Sequence, residues 1–147
     1  MTPPIQLLRH LPLFADLGRA DLERIARSFK ARTFAAGDTI AEQGMTGSVF
    51  FVISEGDATV SVHGRTVGRL KPGDSFGEIA LVDENHVRTA TVVADSAVSA
   101  YTLTAWDFDP LIDAYPSVAR RLLRLLAARL RATQERDAEA HTHSNSG

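Results

Sequence analysis

A glycine, a glutamate and, ten residues beyond the glutamate, an arginine are the residues of this sequence best suited to chemistry. Gly77 leaves its backbone open to close approach by a ligand, and residues 78–82 can form one short helical turn. The free N–H groups that begin such a turn attract an anion, and the Arg88 guanidinium adds paired hydrogen bonds to phosphate oxygens. The stretch therefore predicts an anion-binding site. In that site the Glu78 carboxylate faces a neutral donor, such as a sugar hydroxyl.

The composition is that of one globular domain with no thiol chemistry. The 147 residues are 44% hydrophobic and 23% charged, so the chain can bury a core of ordinary size. Cysteine is absent, which excludes disulfides, thiolate metal sites and cysteine nucleophiles. No apolar run approaches the about 18–20 residues of a membrane span, and the N-terminus lacks a secretory pattern. We therefore expect a cytoplasmic protein without a membrane partner.

The charge distribution argues against a nucleic-acid-binding chain. The net charge is −2, although residues 116–134 contain five arginines and no acidic residue. These arginines lack interleaved aromatic side chains, so we interpret them as a solvated helix face. The five histidines have no ligand spacing with acidic residues, so no metal site is expected.

Sequence periodicity predicts the elements that position the anion site. Leu22, Ile25 and Phe29 have helical spacing and predict a helix over about 19–28, and a turn of helix is expected over 5–9. Short β-rich runs then alternate with Gly-Asp turns and with a His63-Gly64 hairpin turn. The predicted strands are 49–53, 58–62, 66–70, 89–93 and 98–103. Many short strands without alternating helices indicate a sandwich or barrel.

The pattern turns helical again after the strands. A short helix is predicted over 105–113, with Thr104 as its N-cap and Trp106 as a packing residue. A long helix follows from Ser117 to about Asp137, with an apolar stripe that Val118 and Leu125 widen. The stripe consists of Leu122, Leu126, Leu130 and Thr133. We therefore predict one domain over 1–137, with a barrel at about 30–104, C-terminal helices at about 105–137 and a disordered tail over 138–147.

The anion-site stretch closely resembles the phosphate-binding cassette of cyclic nucleotide-binding domains. That pattern is Phe-Gly-Glu, an aliphatic residue, Ala or Gly, and Leu, then a short variable loop before Arg, Ser/Thr/Ala and Ala. The chain matches it with Phe76-Gly77-Glu78-Ile79-Ala80-Leu81 and Arg88-Thr89-Ala90. The step from Glu78 to Arg88 is like that of the catabolite-activator branch. The resemblance spans about residues 11–137 and implies a mainly β fold, a jelly-roll β-barrel with an N-terminal helix and a long C-terminal helix.

The resemblance implies a role for each matching residue. The backbone N–H groups of residues 77–80 would bind the cyclic phosphate together with Arg88, beside which Thr89 stands. The Glu78 carboxylate would accept a hydrogen bond from the ribose 2′-hydroxyl, and the base would lie against the barrel wall under the last helix. By position, Thr133 and Gln134 resemble the polar pair that caps the base. The predicted ligand-binding residues are thus Phe76, Gly77, Glu78, Ile79, Ala80, Arg88, Thr89, Ala90, Thr133 and Gln134. We expect Arg88 to be largely hydrated in the empty site.

The resemblance implies a non-enzymatic sensor of cAMP, which we favour, or of cGMP, which the Thr89 hydroxyl permits. Ligand binding would reposition the C-terminal helix and so act on a protein effector. We also expect the chain to form a homodimer through this helix. Direct DNA binding is not expected, because the residues after Asp137 are too few for a helix-turn-helix domain. Two alternatives stay open: a degenerate barrel that serves as a dimerisation or protein-interaction module, and a small cupin-like enzyme. The intact cassette counts against the first, and the missing cluster of histidines and carboxylates counts against the second.

Overall fold

Two four-stranded antiparallel sheets form the centre of the computed structural model, which describes residues 2–83 and 85–145. One sheet has the order β1-β8-β3-β6 and the other the order β2-β7-β4-β5. The strands are β1 (Lys30–Phe34), β2 (Thr39–Ala41), β3 (Val49–Glu55), β4 (Ala58–Val62), β5 (Arg65–Leu70), β6 (Ser75–Phe76), β7 (Thr91–Ala94) and β8 (Val98–Thr104). The predicted mainly β, jelly-roll fold is confirmed, with the strands divided between two sheets.

Helices precede and follow the strand region along the chain. They are α1 (Ile5–Arg9), α2 (Arg19–Ala26), α3 (Ala105–Ala114) and α4 (Pro116–Asn145), and 3-10 turns cover Pro12–Phe14 and Glu78–Leu81. The Thr104 hydroxyl accepts a hydrogen bond from the Asp107 amide at 3.3 Å, which confirms the predicted N-cap of α3. The expectation that Trp106 is a packing residue is wrong, because its side chain is exposed to solvent in the first turn of α3.

The central strand β3 separates two apolar cores. Phe50 and Val52 face the helices, and Ile53 faces the opposite sheet. Because both faces of β3 are covered, its sequence is a continuous apolar run rather than an alternating one. The helix-side core fixes the cassette turn Glu78–Leu81, since Leu81 is buried in it.

The hairpin between β4 and β5 has the predicted two-residue turn. His63 and Gly64 both have positive φ angles, 50° and 77°, which suit the twist of the two strands. Strand β7 begins two residues later than predicted. The residues before it pair instead with the loop that precedes β3, through a bridge between Thr46 and Val87.

Helix α4 is longer than the sequence predicts. The predicted helix ends near Asp137 and a disordered tail was expected over 138–147, but α4 continues to Asn145. Ala138, Glu139 and Ala140 are strong helix formers, which accounts for the extension. Residues 146 and 147 lie outside the described residues. Within the described ranges, no helix is both long enough and apolar enough to cross a membrane.

The first turns of α4 are anchored to the rest of the domain. Val118 and Leu122 are buried in the helix-side core, whereas Leu130 is 60% exposed. The Arg121 guanidinium donates two hydrogen bonds of 2.7 Å to the Asp16 carboxylate. These bonds lower the pKa of Asp16. The apolar stripe of α4 therefore divides into a buried first part and a free second part.

Candidate functional site

The cassette turn begins at a glycine with a left-handed backbone. Gly77 has φ 88° and ψ 17°. A Cβ at this position would lie 2.6 Å from Nη1 of Arg88 and 2.7 Å from the Val49 carbonyl oxygen. The backbone conformation and the crowding both exclude a larger residue, so glycine is required for the guanidinium to lie beside the turn.

The Arg88 side chain is buried next to Gly77, with 8% of its surface exposed. Its Nη2 donates a 2.7 Å hydrogen bond to the Val49 carbonyl, and its Cζ lies 5.8 Å from the centre of the Phe51 ring. Burial lowers the pKa of the guanidinium, which nevertheless stays protonated because arginine is so strong a base. No carboxylate pairs with Arg88 in the part of the chain that the structure describes. The expectation of a hydrated Arg88 is therefore wrong, and the site holds a fixed, unneutralised positive charge.

Backbone hydrogen bonds fix the loop that carries Arg88. The Arg88 amide donates to the Met45 carbonyl and its carbonyl accepts from the Gly44 amide, both at 2.9 Å. The His86 carbonyl accepts from the Gly47 amide at 3.2 Å. The cassette loop is thus held against residues 44–47, which positions the guanidinium without a ligand.

The amides of the cassette turn differ in their availability. The Ala80 amide donates to the Gly77 carbonyl at 3.1 Å and closes the turn. The amides of Glu78 and Ile79 stand in the first turn, where helical N–H groups have no partner within the helix. These two amides are the ones best suited to an anion.

An open cleft with a volume of about 140 Å³ lies over Arg88 and Gly77. The Phe76 ring lines it and stacks on Phe51 with 4.7 Å between ring centres. Of the predicted site residues, the structure places six around this cleft: Phe76, Gly77, Ile79, Arg88, Thr89 and Ala90. The other lining residues are Ala41, Val60, His86, Val92 and Arg129.

Glu78 does not line this cleft, but it pairs with Arg129, which does. Its carboxylate is buried, at 6% exposure of the residue, and forms an ion pair with Arg129 of α4. The Arg129 side chain is 54% exposed, as expected for a solvated helix face, but its ion pair with a buried carboxylate is not predicted from the sequence. A signal was present, because Arg129 lies seven and four positions after the inward-facing Leu122 and Leu125. A cation that continues an inward apolar stripe indicates a partner inside the domain.

Thr133 and Gln134 are not among the residues that line the cleft. Both are exposed on α4, one turn beyond Arg129. The Thr133 hydroxyl accepts a hydrogen bond from Arg136 at 3.4 Å. Their role as a cap over the base stays a prediction.

The buried arginine, the glycine turn and the cleft agree with a match to a known family. A family model described as the cyclic nucleotide-binding domain matches residues 31–115, which is more than half of the chain. The chain belongs to the cyclic nucleotide-binding domain family. The match covers both sheets, the cassette and α3, and it ends one residue before α4 begins.

Relatives of this cyclic nucleotide-binding domain occur in channels, kinases and transcription factors. A cyclic nucleotide-gated potassium channel of Mesorhizobium japonicum is 39% identical over 114 residues, which cover 78% of this chain and 31% of the channel. A cAMP-dependent protein kinase regulatory subunit of Mycosarcoma maydis is 41% identical over 63% of this chain and 18% of its own length. The crystal structure of the Thermus thermophilus catabolite activator protein superposes with a TM-score of 0.79 at 32% identity, over 88% of this chain and 63% of that one. The chain thus spans about a third or less of the curated relatives it matches.

Proposed function

We propose that this domain is a non-enzymatic sensor that binds a cyclic nucleotide, with cAMP preferred over cGMP. One observation carries the proposal: Arg88 is buried and held by a hydrogen bond beside an open cleft, and no carboxylate among the described residues pairs with it. Holding an unneutralised charge in such a place lowers the stability of the empty domain unless an anion completes it. A cyclic phosphate supplies that anion.

The residues around the cleft suit the three parts of a cyclic nucleotide. The phosphate binds between Arg88 and the amides of Glu78 and Ile79. The ribose 2′-hydroxyl donates to the Glu78 carboxylate, which has lone pairs left beside its ion pair with Arg129. The base lies on the apolar wall of the cleft, which includes Ala41, Val60 and Val92.

The preference for cAMP is a matter of degree. Thr89 follows Arg88 at the edge of the cleft and is exposed, so its hydroxyl can reach a guanine amino group. One such hydrogen bond is worth about 0.5–1.5 kcal/mol, too little to exclude either nucleotide. We expect cAMP to bind more tightly and cGMP to bind measurably.

Ligand binding moves α4 through Glu78. The same carboxylate contacts Arg129 on α4 and, in this proposal, the sugar of the ligand. A ligand shifts a conformational equilibrium only through unequal affinity for the two states. The nucleotide binds more tightly to the state in which α4 keeps Arg129 near Glu78 and near the ligand. Ligand binding therefore holds α4 more firmly over the cleft.

The free part of α4 also forms the proposed homodimer seam. Leu122 belongs to the domain's own core, whereas Leu123 and Leu130 are 67% and 60% exposed. Leu126 is only partly buried between them. A second copy of α4 would cover this surface, with Thr133 and Gln134 above the base of the nucleotide.

Truncation after Arg129 tests the cap and the seam together. We expect affinity for cAMP to fall at least about tenfold, the effect of one lost group of contacts. Phosphate-driven binding survives, and light scattering shows a smaller particle. A truncated protein with unchanged affinity and unchanged size would refute both roles of the helix.

A nucleotide panel tests the proposed function itself. The protein is unfolded, dialysed and refolded to remove carried-over ligand, and its melting temperature is measured with cAMP, cGMP and 5′-AMP. A ligand at 100 times Kd stabilises by about 2.7 kcal/mol, which is roughly 5–10 °C for a domain of this size. We expect that shift with cAMP, a smaller one with cGMP and none with 5′-AMP at equal concentration. No shift with either cyclic nucleotide would favour the degenerate interaction module, and a hundredfold preference for cGMP would overturn the preference for cAMP.

A further inference from the structure

Gly47 is a second glycine beside the Arg88 guanidinium, and it approaches from the loop between β2 and β3. A Cβ at this position would lie 2.7 Å from both Cζ and Nη2 of Arg88, and closer still to Nε. These three nearest atoms all belong to the end of the arginine side chain, and none of them is a backbone atom. The guanidinium therefore occupies the space that a side chain at residue 47 would fill.

The loop that carries Gly47 is bonded to the segment that carries the arginine. The Gly47 amide donates to the His86 carbonyl at 3.2 Å, and Thr46 forms a β-bridge with Val87. The backbones of the two segments are thus fixed to each other, whereas the end of the Arg88 side chain is held by its single hydrogen bond to the Val49 carbonyl. A methyl group at residue 47 would therefore displace the guanidinium before it displaced the loop.

Gly47 differs from Gly77 in what a substitution would disturb. Gly77 has φ 88°, and its Cβ would also meet the Val49 carbonyl oxygen, so a side chain there strains the backbone and meets an atom that cannot turn away. Gly47 is not among the glycines with positive φ, so its φ is one that residues with a side chain adopt. A substitution at residue 47 thus costs the fold little, and its effect falls on the position of Arg88.

We propose that Gly47 is a positioning residue for the nucleotide phosphate: by leaving room for the guanidinium, it sets where Arg88 meets the phosphate. The inference rests on the proposed function, in which Arg88 pairs with the phosphate. The paired hydrogen bonds of a guanidinium depend on direction as well as on distance, so a displaced guanidinium binds the phosphate less well. Gly47→Ala therefore weakens cAMP binding, although residue 47 touches no part of the nucleotide.

The test is calorimetric titration of the full chain with cAMP, together with thermal unfolding of the nucleotide-free protein. We expect Gly47→Ala to raise Kd about tenfold, the effect of one lost hydrogen bond, and to change the melting temperature by no more than about 2 °C. The control is Gly18→Ala. Gly18, at the start of α2, has a φ of −80° and open space around its would-be Cβ, so Kd should stay unchanged.

A crystal structure of nucleotide-free Gly47→Ala shows how the substitution acts. We expect the Arg88 guanidinium to have left hydrogen-bond distance of the Val49 carbonyl, while the backbone of residues 44–47 keeps its place. An unchanged Kd, a melting temperature as low as that of Gly77→Ala, or a guanidinium in its original place beside a displaced loop would each overturn the inference while the proposed function stands. Absence of cAMP binding by the wild type would instead refute the proposed function.

Discussion

Replacement of Arg88 by alanine tests the mechanism of the site most sharply, because the structure gives this side chain two separate roles. In the empty domain it donates to the Val49 carbonyl at 2.7 Å and fills the space beside Gly77. In the complex it pairs with the phosphate. The change should therefore affect both the stability of the empty domain and the affinity for the nucleotide.

The two effects differ in size. Loss of one partner of a buried charge pair weakens binding by about 2–5 kcal/mol, which is about 30- to 4,000-fold in Kd. A buried carbonyl left without its donor lowers the free energy of unfolding by about 1–3 kcal/mol, and removal of an unneutralised buried charge offsets part of this. We expect a melting temperature lower by only a few degrees and cAMP binding too weak to detect at micromolar concentrations.

The assays are calorimetric titration with cAMP and thermal unfolding of the nucleotide-free protein. Arg69→Ala is the matched control, since Arg69 is an exposed arginine of β5 outside the cleft. It should leave both quantities unchanged. Arg88→Lys keeps the charge but loses the planar fork, so its affinity should fall between those of the wild type and Arg88→Ala. An Arg88→Ala protein that binds cAMP within threefold of the wild type would refute the assignment of the phosphate to Arg88.

Three further predictions use other features of the structure. Gly77→Ala should lower stability and abolish cAMP binding, because its Cβ meets Arg88 and Val49. The control Gly73→Ala, at φ 96° in open space, should cost only backbone strain of about 1 kcal/mol. Equal effects of the two variants on melting temperature and on binding would contradict the crowding seen at Gly77. Arg129→Ala should leave cAMP binding detectable but remove the ligand-induced protection of α4 in hydrogen exchange, and protection that persists would show that the Glu78 pair does not couple ligand to helix. Arg121 lowers the pKa of Asp16, so their pair stabilises the fold at pH values above the ordinary pKa of aspartate and ceases to do so as the pH falls through the lowered pKa. The difference in melting temperature between wild type and Arg121→Ala should therefore shrink below about pH 4. A difference that is constant with pH would contradict this origin.

The parts of the fold that follow local patterns could be predicted from the sequence. The central run of β3, the turn at His63 and the cap at Thr104 depend on neighbouring residues, and the structure confirms each of them. The two shortest strands, β2 and β6, are too brief to show a period of two. Strand β1 is mostly exposed, so it lacks an apolar alternation and depends on pairing with β8.

The site was predictable only along the cassette. The Phe-Gly-Glu and Arg-Thr-Ala segments lie within one stretch, and their spacing alone indicates that they form one site. Arg129 and His86 depend on how α4 and the cassette loop pack in three dimensions, which spacing does not reveal. The burial of Arg88 likewise follows from the close approach of Gly77 and Gly47 to its guanidinium, and these two glycines are distant from each other in sequence.

The most direct test of the central claim is a crystal structure of the nucleotide-free protein soaked or co-crystallised with cAMP. We predict one cAMP per chain, with phosphate oxygens at about 3 Å from the Arg88 guanidinium and from the amides of Glu78 and Ile79. The 2′-hydroxyl should lie at hydrogen-bond distance from the Glu78 carboxylate. A nucleotide bound elsewhere, or a cleft that contains no cAMP at saturating concentration while Arg88 bonds only to Val49, would contradict the account.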